Sequence, residues 1–252
     1  MTSDTEIKRI FAPHGVLRAS INVGNPILAR EDASAAGGAS GVSVDLASAL
    51  AERLGVPLEL VVVKSAGRSV QVIEENNADI GFFAIDPVRG ANIAFTAPYI
   101  LIEGAYLVPE PSPLQDNSQV DAPEHRVVVG KDSAYDLYLS RELQHAQIVR
   151  APTSPTVFDV FVDQGLEVAA GVRQQLEAHA SGHKGYRLLP GRFMVIRQAM
   201  GTHKARGEEA ARYLAQFVEE MKAAGFIGQA LALHGIEGAS VAPLHEDGKP
   251  ST

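Results

Sequence analysis

Apolar and polar residues follow two rhythms along this chain, and the two alternate. Val16 to Val23 (VLRASINV) switches between apolar and polar positions, which predicts a strand. Asn25-Pro26 ends that run, and Ala33 to Gly41 (ASAAGGASG) predicts a flexible loop. From Val44 to Leu54 the spacing becomes helical, with Val44, Ala47, Leu50, Ala51 and Leu54 on one face and Gly55 as the expected C-cap. Leu58 to Val63 (LELVVV) predicts a buried strand from its β-branched content. Arg68 to Asn77 predicts a short helix, and Ala78 to Ile85 another strand. Asp86-Pro87-Val88-Arg89 predicts a helix start, with Asp as cap, Pro at the first helical position and Arg in the first turn. Tyr99 to Val108 is extended and long enough to cross between two lobes.

The alternation continues, although no internal repeat is visible. Leu114 to Ala122 predicts a polar surface loop, Arg126 to Val129 a strand, and Ser133 the start of a helix carrying Leu137 and Leu143. Ser154-Pro155 begins another helix, with Val157, Phe158, Phe161 and Val162 facing inward. Leu166 to Val172 predicts a strand, Arg173 to Ala180 a helix, and Phe193 to Ile196 a strand. Lys204 to Ala224 is amphipathic, with Ala211, Leu214, Phe217, Val218 and Met221 on one side. Gly225 separates it from a last short helix ending near Gly235, and Glu246 to Thr252 reads as a frayed end. Strands alternating with helices place the chain in the α/β class.

Composition narrows the function. The 252 residues are 46% hydrophobic and 21% charged, enough for one large domain or two modest ones and incompatible with disorder. Thirty acidic residues against 22 basic ones give a formal charge of −8, which disfavours nucleic acid as a partner but leaves room for a small anion gripped by placed arginines. With no cysteine there is no disulfide framework, thiolate zinc site or cysteine nucleophile, and the redox compartment stays open. No run reaches the ~18 apolar residues of a membrane span, and Met1 to Arg9 has no apolar core of the signal-peptide kind. No phosphate loop, dinucleotide fingerprint or nucleophile elbow occurs, and His179 and His183, although four apart, lack a further ligand for a metal.

The order of several short motifs resembles the family 3 extracellular solute-binding proteins, the receptors of polar amino-acid ABC importers. The motifs are Gly15-Val-Leu-Arg18, Gly41-Val-Ser-Val-Asp-Leu-Ala47, Leu54-Gly-Val56, Ala78-Asp-Ile80, Asp86-Pro-Val-Arg89 and Phe95-Thr-Ala-Pro-Tyr99. The resemblance runs from about Gly15 to Gly235. It implies a two-lobed type II periplasmic-binding fold, with mixed sheets, helices on both faces and a ligand cleft between lobes. Residues 1–102 and 193–252 would form a discontinuous first lobe and residues 103–192 an inserted second one, with crossings near 99–107 and 191–196. The implied protein is a periplasmic monomer that takes up a small carboxylate-bearing solute by cleft closure and is read by an ABC permease. No cofactor, metal or catalytic chemistry is expected. The absent signal peptide leaves a cytoplasmic location open. The alternatives on the same fold are a dehydratase of prephenate- or arogenate-like acids, with Asp86, Asp132, Asp136 and Glu103 as available acids, and a sensor that has left transport.

The resemblance also nominates site residues. Arg89 matches the arginine that grips the ligand's carboxylate, and a helix start favours an anion there in any case. Arg68 matches the arginine that holds a side-chain carboxylate in acidic-amino-acid receptors. Ala84 stands where relatives have Ser or Thr and offers only its backbone N–H. Ser133 and Ala134 fall at a turn where relatives turn a helix N-terminus to the carboxylate, with Tyr135 as a wall. Val172 stands where relatives place the acid that binds the ammonium, and Arg173 follows it. An anion gripped by Arg89, Arg68 and Arg173 is therefore expected, with Asn22 of the first strand as a further contact.

Overall fold

The computed structural model describes residues 4–245. The chain divides into two compact units, one of Met1–Leu101 with Arg197–Thr252 and the other of Ile102–Ile196. The chain leaves the first unit within the strand Ile100–Pro109 and re-enters it within the strand Met194–His203.

In the first unit three parallel strands lie in the order Leu58–Val63, Leu17–Asn22 and Ile80–Ala84. Gln198–Gly201 continues the sheet antiparallel to the last of them. The strand Ile80–Ala84 is buried at every residue, as its apolar run requires. Leu58–Val63 is not the buried strand its β-branched residues suggest: among the described residues it pairs with Leu17–Asn22 alone, and Val63 is its one buried residue. Its composition reflects pairing and one covered face rather than a central place.

The helix Val42–Leu54 ends as expected, with Gly55 at φ 63° returning its N–H to the carbonyls of Ala51 and Glu52. It begins two residues earlier than the periodicity indicates, so Val42, Leu46, Ala47, Leu50, Ala51 and Leu54 face the core and Val44 is half-buried. Asp86-Pro-Val-Arg does not open an α-helix. Asp86 Oδ1 accepts the Val88 N–H at 2.8 Å, a single 3-10 turn covers Arg89–Ala91, and the strand Ile93–Phe95 follows at once. The cap chemistry was legible, but the strand leaves room for one turn only. The long amphipathic segment also divides: Lys204–Arg206 is a 3-10 turn, Gly207 (φ 89°) breaks it, and the α-helix runs Glu208–Ala223. Ala211 and Met221 are half-buried, whereas Lys222 is buried, its ammonium donating to the carbonyls of Pro98 and Pro243.

The second unit is built on the same plan. Gln147–Ala151, Arg126–Gly130 and Val168–Val172 run parallel in that order, and Gly104–Leu107 pairs antiparallel with the last. Its core joins Leu107, Val128, Phe158, Phe161, Ala169 and Leu176. Val162 is 42% exposed, contrary to the expected inward face, because the helix Val157–Asp163 starts only after a 3-10 turn at Ser154–Thr156. In the helix Ala134–Glu142, Tyr135 and Leu139 are buried and Leu137 is only half so. The segment 114–122 is not wholly polar surface, since Leu114 and Val120 are buried. The expected frayed end, Glu246 to Thr252, lies outside the described residues. Among those described, no helix is long and apolar enough to cross a membrane.

Candidate functional site

Open α/β sheets collect ligands beyond the carboxyl ends of their strands, and each unit brings its nominated residues to that edge. In the first unit Asn22 ends one parallel strand and Ala84 the next. Arg68 lies in the first turn of the helix Ala66–Glu74, which two residues separate from the strand Leu58–Val63, and Arg89 lies in the turn after Ala84.

Arg89 is 6% exposed, and its Nη1 donates to the Ala84 carbonyl at 3.2 Å. A buried guanidinium is costly to desolvate and demands anionic or dipolar company. Asp86, equally buried, spans the same turn through the Val88 N–H. Ala84 thus contributes its carbonyl to positioning Arg89. Arg68 is half exposed and lies against its own helix, with Nη1 3.1 Å from Glu75 Oε1 and 3.4 Å from Gln71 Oε1. Asn22 Oδ1 accepts the Gly24 N–H at 2.9 Å, which orders the strand's exit.

In the second unit two helices start beyond adjacent parallel strands. Ser133 caps Ala134–Glu142, its hydroxyl accepting the Asp136 N–H at 3.0 Å, so the expected N-cap is present. Ala134 is the first helical residue, half-buried, and Tyr135 is packed inward. The helix Arg173–Gly182 follows Val172 directly. Arg173 Nε donates to Glu103 Oε2 at 2.8 Å, its Nη2 donates to the Gly191 carbonyl, and Glu177 lies 3.6 Å from Nη1. Arg192 Nη1 holds the other Glu103 oxygen at 2.8 Å. The hydrogen bond from Arg192, and then that from Arg173, keep the Glu103 carboxyl below the usual carboxylate range. Sequence reading named Glu103 only as a spare acid; its pairing with a residue 70 positions away has no local signal.

These donors are guanidinium and backbone groups, suited to carboxylate oxygens and poor in metal ligands. No cluster of three or more His, Cys, Asp or Glu capable of holding a metal occurs among the described residues. His179 and His183 belong instead to an aromatic group: the His179 ring stacks on Phe158 at 4.4 Å, and burial pushes its pKa down.

The model of the bacterial extracellular solute-binding proteins, family 3, matches residues 29–232. The chain belongs to that family. No curated protein matches it in sequence. Among solved structures it is similar to the solute receptor for L-cysteine of Neisseria gonorrhoeae, at 20% identity and TM-score 0.76 over 94% of each chain. It is also similar to a histidine kinase sensor domain with similarity to periplasmic binding proteins, at 15% identity and TM-score 0.76 over 91% of this chain and 99% of that one. A third is an ancestral amino acid-binding protein, a precursor of cyclohexadienyl dehydratase, at 18% identity and TM-score 0.73 over 90% of this chain and 97% of that one. At these identities the likeness is one of fold. This family 3 protein therefore has the two-unit α/β architecture that its motifs implied.

Proposed function

We propose that this family 3 protein is a receptor for a small polar, carboxylate-bearing solute, an amino acid or organic acid, delivered to an ABC-type permease in the extracytoplasmic space. The observation that carries the reading is Arg89: a guanidinium 6% exposed, oriented by the Ala84 carbonyl at the carboxyl edge of a parallel sheet. A planar fork in that setting suits a carboxylate, because charge-assisted hydrogen bonds strengthen as water is excluded. In this reading closure of the two units on the solute is the event the permease detects, through tighter binding of the closed form. In this reading Arg89 is the anchor, and Arg68 and Arg173, held by Glu75 and Glu103, tune selectivity.

The dehydratase alternative needs a carboxyl group protonated near neutral pH to act as general acid. Two of the available acids are poor candidates. Glu103 is held ionised between two arginines, and Asp136 accepts from the Asp132 N–H and from Arg150. A thermal-shift screen with amino acids, di- and tricarboxylates and aromatic acids tests the receptor reading, because a ligand that binds only the native state raises the melting temperature. At least one carboxylate is expected to do so without being consumed. Conversion of prephenate to phenylpyruvate by the protein would instead establish the enzyme.

A further inference from the structure

We infer that the C-terminal segment Ser240–His245 is a detachable brace on the strand by which the chain leaves the first unit, and that Lys222 is its latch. Segment and latch both belong to the first unit, so the device works whether or not the receptor reading holds. Tyr99, fully buried, is held from two sides: its N–H donates to the Gln198 carbonyl at 2.8 Å, and its carbonyl accepts the Ala242 N–H at 3.0 Å. Ser240 and Val241 extend the second side, pairing antiparallel with Leu101 and Ile100. Leu101 is the last residue of the first unit before the chain passes to the second. The segment therefore covers an edge of the exit strand that would otherwise offer unpaired backbone groups.

Little apolar surface holds the segment down. Ala242 is its one buried residue, whereas Ser240, Val241, Pro243, Leu244 and His245 are exposed. Elements with few buried apolar contacts open at low free energy, apart from global unfolding. Polar bonds from a buried cation take the place of packing. The Lys222 side chain is 1% exposed, and its ammonium donates to the Pro98 carbonyl at 3.2 Å, on the approach to the exit strand, and to the Pro243 carbonyl at 2.9 Å, on the segment. Glu219 Oε1 lies 2.6 Å from that ammonium, and Glu219 Oε2 accepts the His245 N–H at 2.9 Å. Hydrogen bonds that involve a charged group are the strong ones. One ion pair on the helix Glu208–Ala223 thus grips both the segment and the strand it covers. Release of the segment frees one side of the exit strand and leaves the parallel strands of the unit in place.

Amide hydrogen exchange, followed residue by residue by NMR in the full-length protein without solute, tests the assignment. The Ala242 and His245 N–H groups report the segment. The Tyr99 N–H, bonded to Gln198 and not to the segment, reports the exit strand, and the strand Ile80–Ala84 reports the rest of the unit. Lys222→Met keeps an apolar stem and removes the ammonium. The Ala242, His245 and Tyr99 amides are then expected to exchange at least about tenfold faster, with those of Ile80–Ala84 unchanged. If that variant does not fold, Ala242→Pro, which deletes the donor to Tyr99, is read in the same way at His245 and Tyr99. Unchanged exchange in the segment overturns the latch. Faster exchange in the segment with Tyr99 unmoved overturns the brace, since the segment then only frays. Equal acceleration at Ile80–Ala84 overturns both, because the segment then opens only with the whole unit.

Discussion

Arg18 grips Asp79 with three donors: its backbone N–H and Nε reach Oδ2 at 2.8 and 3.0 Å, and Nη2 reaches Oδ1 at 2.9 Å. Arg126 and Glu167 repeat the arrangement in the second unit, with the backbone N–H and Nε on Oε2 at 2.9 Å and Nη2 on Oε1 at 2.8 Å. In each unit, counting in chain order, the arginine belongs to the first of the three parallel strands and the acid immediately precedes the third. The clamp sets the register of two strands whose carboxyl ends carry the candidate site. The environments differ, however. Asp79 is fully buried and is also held by Arg206, whereas the side chains of Arg126 and Glu167 are 39% and 33% exposed.

Asp79→Asn is therefore expected to cost about 3–5 kcal/mol, because it leaves two largely buried guanidinium groups without their counter-charge. Glu167→Gln, whose partner is partly solvated, is expected to cost clearly less. Urea unfolding midpoints of the two variants check the order; equal losses would mean that burial does not govern the clamp.

Stability is expected to fall in acid through Glu103 and Glu167. Both carboxyls are held below the usual range, Glu103 first by Arg192 and Glu167 first by Arg126. A group with a lower folded than unfolded pKa stabilises fully above its unfolded value and loses that contribution as pH drops through the folded value. Melting temperature followed from neutral pH downward should decline below the ordinary carboxylate range. It should decline less steeply in Glu103→Gln, which has already lost its contribution at neutral pH.

Gly41→Ala should destabilise the first unit by at least about 1–3 kcal/mol. Gly41 sits at φ 134°, and a Cβ there would meet the Leu28 carbonyl oxygen at 2.5 Å and Ala29 Cα at 2.8 Å. Its carbonyl also receives the N–H groups of Val44 and Asp45, so the start of Val42–Leu54 would shift with it. Thermal unfolding of the variant provides the measurement, and an unchanged melting temperature would show that the chain yields there cheaply.

Much of this architecture was legible locally. Gly55 stopped its helix as left-handed glycines do, Ser133 capped Ala134–Glu142, and the alternation of strand and helix gave the class. Misreadings arose where distant neighbours decide. The residues of Leu58–Val63 look central yet lie at an edge, and Asp86-Pro-Val-Arg looks like a helix start yet has space for one turn. At the site, the motifs nominated Arg89 and Arg173 but not their companions. Glu103 reaches Arg173 across the sheet, and Arg206 joins Asp79 from 127 residues away.

Calorimetric titration of Arg89→Ala against the solute that most raises the parent's melting temperature is the decisive measurement. With the guanidinium gone, heat of binding should vanish while the fold, followed by circular dichroism, persists. An affinity equal to the parent's would show that the solute is anchored elsewhere.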